Sequence, residues 1–216
     1  MKNNKIIQMS IHAMFIGLMT LMTFVPQIGF ISLSPVVAFT LLHIPVLFGA
    51  VIFGWKTGLL YGLVFGFLSF TRAIVAPVSF IDFYFADPLV SILPRALFGL
   101  ASGLAFDFAK LIKRNVFNKI VLSLSSAGLT LLHSVLVLLM LGLIYAPTIE
   151  ASVDFAGIGF STYWLLMGFV ILTNGIPEAI IAALLVPILA LALSRYPRFQ
   201  AIVDAFKKEK KHEEKI

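Results

Sequence analysis

The 216-residue chain contains no cysteine. That one absence excludes disulfides, thiolate nucleophiles, cysteine-ligated zinc and iron–sulfur clusters. Charge is scarce too: 12% of residues are Asp, Glu, Lys or Arg, against 60% hydrophobic residues and a mean hydropathy of +1.04. A soluble domain carries about 25% charged residues. This chain cannot cover its own surface with polar groups, so a soluble globular enzyme is excluded. No HExxH, dinucleotide fingerprint or dense Asp/Glu cluster for a metal is present. The stretch from Gly49 through Gly54 to Lys56 and Thr57 resembles a phosphate-binding P-loop. It has one residue too many between glycine and lysine, and its first glycine lies inside an apolar run with no strand before it.

What is present is a series of long apolar runs. A membrane-spanning helix needs about 20 mostly apolar residues, and six segments are read as spans: 6–25, 36–53, 56–74, 90–112, 118–145 and 161–192. Pro26, Pro35, Pro77, Pro88, Pro147 and Pro197 punctuate them. The second is short and interrupted by His43 and Pro45, which predicts a tilted or irregular element. The first follows Lys2 and Lys5 as a signal peptide would, but it lacks a small-residue cleavage site and is read as a retained helix. The expected fold is therefore an all-α integral membrane protein. Residues 1–200 are expected to form a six-helix transmembrane domain and 201–216 a charged tail. That tail is either a solvated helix end beside anionic lipid or a docking element for a cytoplasmic partner.

The net charge of +6 resolves by position. Fourteen of the 16 basic residues fall before span one, between spans two and three, between spans four and five, or after span six. The positive-inside rule makes that side cytoplasmic and puts both termini there. The opposite loops (26–35, 75–89 and 146–160) hold Asp82, Asp87, Glu150 and Asp154 and no Lys or Arg. The excess charge thus reports orientation rather than nucleic-acid binding.

Two arginines escape this pattern. Arg72 lies at the outer end of span three, as an interface anchor or a ligand contact. Arg95 is deeper, directly after Pro94 in span four, where an arginine costs about 2.5–3.5 kcal/mol on insertion scales. Either it pairs with Asp82, Asp87 or Glu178, or its fork of donors receives a carboxylate or phosphate from outside. The second reading is preferred. In span six, Asn174 and Glu178 are four residues apart on one helix face, and Pro177 should interrupt the helix. They serve either as glue between helices or as hydrogen-bond partners for a polar solute. His133 in span five is a packing residue or a ligand contact, and His43 and His12 carry less weight. The loop from Ala76 to Pro88, with Phe83 and Tyr84, is richer in aromatics than an idle loop requires and is read as a lid. Tyr84, Tyr145, Tyr163 and Trp164 fall where an interfacial aromatic belt is expected.

Small residues form two patterns. Gly54, Gly58, Gly62 and Gly66 recur every four residues, with Gly99 and Gly103 in span four, which predicts close internal packing of two helices. In span one, Ser10, Ala13 and Gly17 make a smooth patch for internal packing or for an external membrane partner. No inverted repeat or charged relay for ion coupling is evident. Six spans without a power source suggest a binding subunit.

The blocks LLHIPVLFGAVIFGWKTGLLYGLVFG, FTRAIVAP, LPRALFGLASGL and NGIPEAIIAALL resemble the substrate-binding S-components of energy-coupling factor (ECF) vitamin transporters, most closely the pantothenate type. The resemblance covers nearly the whole chain. It implies a high-affinity vitamin-binding membrane subunit of an ABC-type importer in the cell membrane. Such a subunit captures a small anionic vitamin from outside and delivers it through a transmembrane coupling subunit and two cytoplasmic ATPase subunits. Under this reading the chain is not an enzyme and carries no cofactor; ATP and Mg are used by the partner ATPases. The family's AxxxA docking pattern matches Ala13 and Gly17, with glycine replacing the second alanine. Arg95, helped by Arg72, would hold the vitamin carboxylate. Asn174 and His133 would meet its hydroxyls and amide, Phe83 and Tyr84 would cover its methyls, and Glu178 would either be protonated or pair with Arg95. Alternatives are an S-component for pyridoxine, hydroxymethylpyrimidine or folate, or a membrane scaffold protein.

Overall fold

The computed structural model describes residues 2–25, 28–32, 38–77, 80–111, 119–152 and 163–197. Helix α1 (Lys2–Phe24) is followed by a small antiparallel hairpin of β1 (Phe30–Ser32) and β2 (Ala38–Thr40), in which Phe30 pairs with Thr40 and Ser32 with Ala38. Then come α2 (His43–Phe53), α3 (Trp55–Val75), a 3-10 turn (Phe80–Ala86) and α4 (Pro88–Leu111). The chain ends in α5 (Lys119–Ser152), α6 (Tyr163–Val170), a π-helical turn (Ile171–Gly175) and α7 (Ile176–Ser194). The tail, residues 201–216, lies outside the described residues.

Among the described residues, five helices are long and apolar enough to cross a membrane: Ile6–Phe24, Trp55–Val75, Pro88–Ala109, Ile120–Ala151 and Tyr163–Leu193. The segment expected as the second span takes a different form. Its described part is strand β2 followed by the 11-residue α2. At about 1.5 Å per residue, α2 is roughly 16 Å long, about half the hydrocarbon thickness. Every residue from His43 to Ile52 is buried. A half-length helix preceded by irregular backbone is tolerated at membrane depth only where protein surrounds it.

A reversal at Gly54 folds α2 back along α3. Gly54 has φ +86°, and a Cβ there would lie 2.8 Å from Asp107 Oδ2. That carboxylate reaches across from α4 to accept the Trp55 N–H at 3.0 Å, capping the start of α3. Beyond the turn, Ala50 lies against Gly58 and Gly49 against the Tyr61 ring. Antiparallel pairing carried two turns further brings His43 level with Phe65, halfway along α3.

The glycine stripe packs as its spacing predicts. A Cβ on Gly62 would lie 3.1 Å from Gly99 Cα, and one on Gly66 would lie 2.7 Å from Ile92 Cα. Gly58 and Gly103 likewise meet backbone of the facing helix. Close approach of α3 and α4 aligns Phe65 with Arg95 and Phe98, which matters for the site. The main core gathers Phe15, Phe48, Tyr61, Phe65, Phe98 and Phe106 with aliphatics of α2, α5 and α7.

Two expectations need correction. Helix α5 does not stop before Pro147 but continues to Ser152. Pro147 withholds a donor only from the carbonyl of Leu143, an exposed residue, so the helix continues past it. Tyr163 is not a belt residue: it is buried, its ring fills the space left by Gly142, and its hydroxyl donates to Leu138 O at 2.7 Å. Glu150, near the end of α5, accepts the Tyr163 N–H and so starts α6.

Candidate functional site

The site is built outward from Pro94. A proline inside a helix has no N–H for the carbonyl four residues back, which here belongs to Val90. Arg95 Nη1 takes that place, donating to Val90 O at 2.7 Å. The guanidinium is thereby pinned to the backbone of its own helix. Two rings flank it: Cζ lies 4.9 Å from the Phe85 centroid and 5.6 Å from that of Phe65. Such contacts are worth about 0.5–2 kcal/mol each.

Phe85 belongs to the 3-10 turn, which several contacts hold over α4. Ser91 Oγ donates to the Phe85 carbonyl. Arg72 pairs with Asp82 at 3.9 Å, and the Tyr84 and Tyr145 rings meet at 4.9 Å. Asp87 accepts the Leu89 N–H at 2.8 Å and the Tyr145 hydroxyl at 3.0 Å. Of the three carboxylates weighed as partners for Arg95, Asp82 therefore serves Arg72 and Asp87 caps α4. Glu178 makes no ion pair with Arg95 among the described residues. Its Oε1 accepts the Thr40 N–H at 2.6 Å, tying the hairpin to the start of α7.

The interruption expected at Pro177 appears as the π-helical turn, with Pro177 in the first turn of α7. Proline cannot donate to Thr173 O, and the Ile176 N–H bonds back to Ile171 O instead. Asn174 is half-buried in this turn, before Glu178, and Gly175 lets the turn approach Ser134 on α5.

On α5, the His133 ring packs 4.8 Å from Phe98, 5.3 Å from Phe65 and 6.2 Å from His43. The four polar side chains at this level are nearly inaccessible: His43 is 0% exposed, His133 3%, Glu178 4% and Arg95 7%. Yet among the described residues no hydrogen-bond partner meets either ring nitrogen of His43, either of His133, or Arg95 Nε. An uncharged imidazole has one donor and one acceptor, and a buried unsatisfied polar group costs about 1–3 kcal/mol. His133 packs as a core residue does, but its nitrogens are not satisfied as a core residue's would be. The arrangement offers a pinned cation, a carboxylate and two imidazoles, walled by phenylalanines, to a small polar solute. Among the described residues, no group of three or more His, Cys, Asp or Glu is arranged to hold a metal.

The structure thus brings Arg95, His133 and Glu178 together and leaves Asn174 one helical turn away. Tyr84 belongs to the overlying turn, and Arg72, in the last turn of α3, pairs with that turn's Asp82. Phe83 is exposed, and Phe85 is the ring over the guanidinium. Phe65, Phe85 and Phe98 were not singled out from sequence, and His43 was given less weight than His133. The signal for His43 was a histidine two residues before a proline in an apolar run. On α1, Ser10, Ala13 and Gly17 are all exposed; Ser10 Oγ turns back to Ile6 O at 2.9 Å, and a Cβ on Gly17 would meet nothing within 4 Å.

Apolar helices of membrane-spanning length around a buried polar cluster define a multi-pass membrane protein of the solute-handling kind. Residues 8–190 match the family model described as ECF transporter, substrate-specific component, and the chain belongs to that family. It is 29% identical over 209 residues to the pantothenic acid transporter PanT of Lactococcus lactis subsp. cremoris, covering 90% of this chain and 97% of that protein. It is also 30% identical over 110 residues to the pantothenate transporter PanT of Leuconostoc mesenteroides subsp. mesenteroides, covering 50% of this chain and 54% of that protein.

Proposed function

We propose that this protein is the pantothenate-capturing membrane subunit of an ECF-type importer. The observation that carries the reading is the buried guanidinium of Arg95, pinned by Val90 O and ringed by Phe65 and Phe85, with Nε still lacking a protein partner among the described residues. A preorganised, desolvated arginine suits a carboxylate. Pantothenate joins one carboxylate to an amide and two hydroxyls, the groups that His133 and its neighbours can satisfy, and to methyls that phenylalanines can cover. The names of the two relatives support the same vitamin.

In this reading the termini are cytoplasmic, since the Arg72–Asp82 end of the bundle carries the basic-poor loops, and the vitamin enters there with high affinity. Glu178 keeps the hairpin on α7. The exposed Ser10, Ala13 and Gly17 face of α1 meets a transmembrane coupling subunit, for which a surface without bulky side chains allows close helix approach. ATP and Mg act in two partner ATPase subunits. Purified protein equilibrated with an equimolar mixture of pantothenate, pyridoxine, hydroxymethylpyrimidine and folate, then desalted and examined by mass spectrometry, should retain pantothenate. Retention of a neutral heterocycle instead would overturn the proposal.

A further inference from the structure

His43 carried little weight in the sequence, yet its surroundings are unusual. It opens α2, the half-length helix, so it enters the bundle at mid-depth rather than at a membrane surface. Its ring approaches the backbone of Thr40 and Glu178 without closing a hydrogen bond of ordinary geometry to either, and runs nearly parallel to that of His133, 24° between planes and 6.2 Å between centroids. Both side chains are almost completely buried, and all four ring nitrogens lack hydrogen-bond partners among the described residues. A pair kept only for packing would leave two donors and two acceptors unsatisfied, at about 1–3 kcal/mol for each group. Phenylalanine would fill the same space without that penalty, as Phe65 and Phe98 do alongside. Among the described residues too few ligating groups adjoin for a metal, and Arg95 would repel a cation.

We infer that His43 and His133 form a paired-imidazole station that reads an uncharged donor–acceptor group of the solute, an amide or a hydroxyl, and that His43 is a specificity-determining residue. This rests on the pantothenate reading above and assigns the non-ionic half of that ligand. Arg95 takes the carboxylate, and the two rings, one from α2 and one from α5, exchange a donor and an acceptor with the polar group further along the molecule. Discrimination follows from the same penalty. An analogue lacking the hydrogen-bonding group leaves the imidazoles unsatisfied and is rejected, as sites built to hydrogen-bond a substrate group reject analogues without it.

The test compares three ligands by calorimetry on the purified full-length protein: pantothenate, its ester analogue with oxygen in place of the amide N–H, and its analogue lacking the secondary hydroxyl. The wild type should prefer pantothenate to at least one analogue by about tenfold or more. His43→Phe should erase that preference by weakening pantothenate to the level of that analogue, whose own affinity stays within about twofold. His133→Phe should do the same from the other helix, and His43→Gln, which keeps a donor and an acceptor, should restore part of the preference. A structural role alone would weaken all three ligands equally, and that result would overturn the inference, as would an unchanged preference in both phenylalanine variants. A wild type that binds none of the three refutes the pantothenate reading, whereas one that binds all three alike refutes the histidine station.

Discussion

Replacing Arg95 with methionine separates its two roles. In the folded protein the guanidinium is 7% exposed, donates to Val90 O at 2.7 Å and lies between two phenylalanine rings. Methionine has similar length and no charge. Its loss of charge removes an insertion penalty of about 2.5–3.5 kcal/mol. Against that, the Val90 carbonyl loses its donor at about 1–3 kcal/mol, and two ring contacts disappear at about 0.5–2 kcal/mol each. These terms nearly cancel, so the ligand-free melting temperature should move by only a few degrees. Binding should not be spared. Removing one partner of a buried charge pair costs about 3–5 kcal/mol, which at about 1.4 kcal/mol per decade is a loss of roughly a hundredfold to a few thousandfold. The neutral alcohol analogue of pantothenate has no carboxylate to lose, so its affinity should change by no more than a few-fold. Calorimetry with both ligands, alongside thermal unfolding of the ligand-free protein, reads all three quantities. Carboxylate affinity within threefold of wild type would refute the argument. So would equal losses for the acid and the alcohol, because they would mean a damaged site rather than a missing cation.

Other perturbations probe the scaffold. Gly99→Val places atoms where Gly58 O and Gly62 Cα already stand; overpacking of this kind costs about 1–3 kcal/mol, and the melting temperature should fall by several degrees. Pro94→Ala restores an N–H that competes with Arg95 for Val90 O, so thermal stability should rise while pantothenate affinity falls about tenfold, as loss of a hydrogen bond to a charged group implies. Gly17→Leu or Ala13→Leu adds bulk to an exposed face of α1; copurification with the coupling subunit should drop while vitamin binding in the isolated protein stays unchanged. Glu178→Ala removes the acceptor of the Thr40 N–H, and hydrogen exchange at the Thr40 amide should accelerate by about fivefold or more, the equivalent of a net hydrogen bond.

Much of the scaffold was legible from local pattern alone. Long apolar runs marked the spans because a bilayer imposes a length on any helix that crosses it. The four-residue glycine spacing foretold the α3–α4 contact because residues four apart share a helix face. Arg95 stood out because a charge is improbable in an apolar run unless something uses it. Even its anchor was implicit in the adjacent proline, which necessarily frees the carbonyl of Val90. Proline was a poorer guide where it merely looked like punctuation: Pro147 leaves α5 intact, whereas Pro177 interrupts the last span as its place in the helix predicts.

Which side chains face Arg95 was not legible, because that depends on how the elements fold onto one another. The Phe83–Phe85 choice turns on the phase of a 3-10 turn that composition does not reveal. His43 reaches His133 only because α2 is half a span long and reverses at Gly54, a distance set by the close packing of Gly49 and Tyr61. Asp82 goes to Arg72 and Glu178 to Thr40 because the 3-10 turn and the hairpin dock at separate points on the bundle. Composition and periodicity thus determined that the chain lives in a membrane, how its helices pair and where an unpaired charge must be accommodated. Tertiary folding decided the identity of the site, since contacts between residues as distant in sequence as Thr40 and Glu178 arise from packing geometry and leave no trace in local pattern.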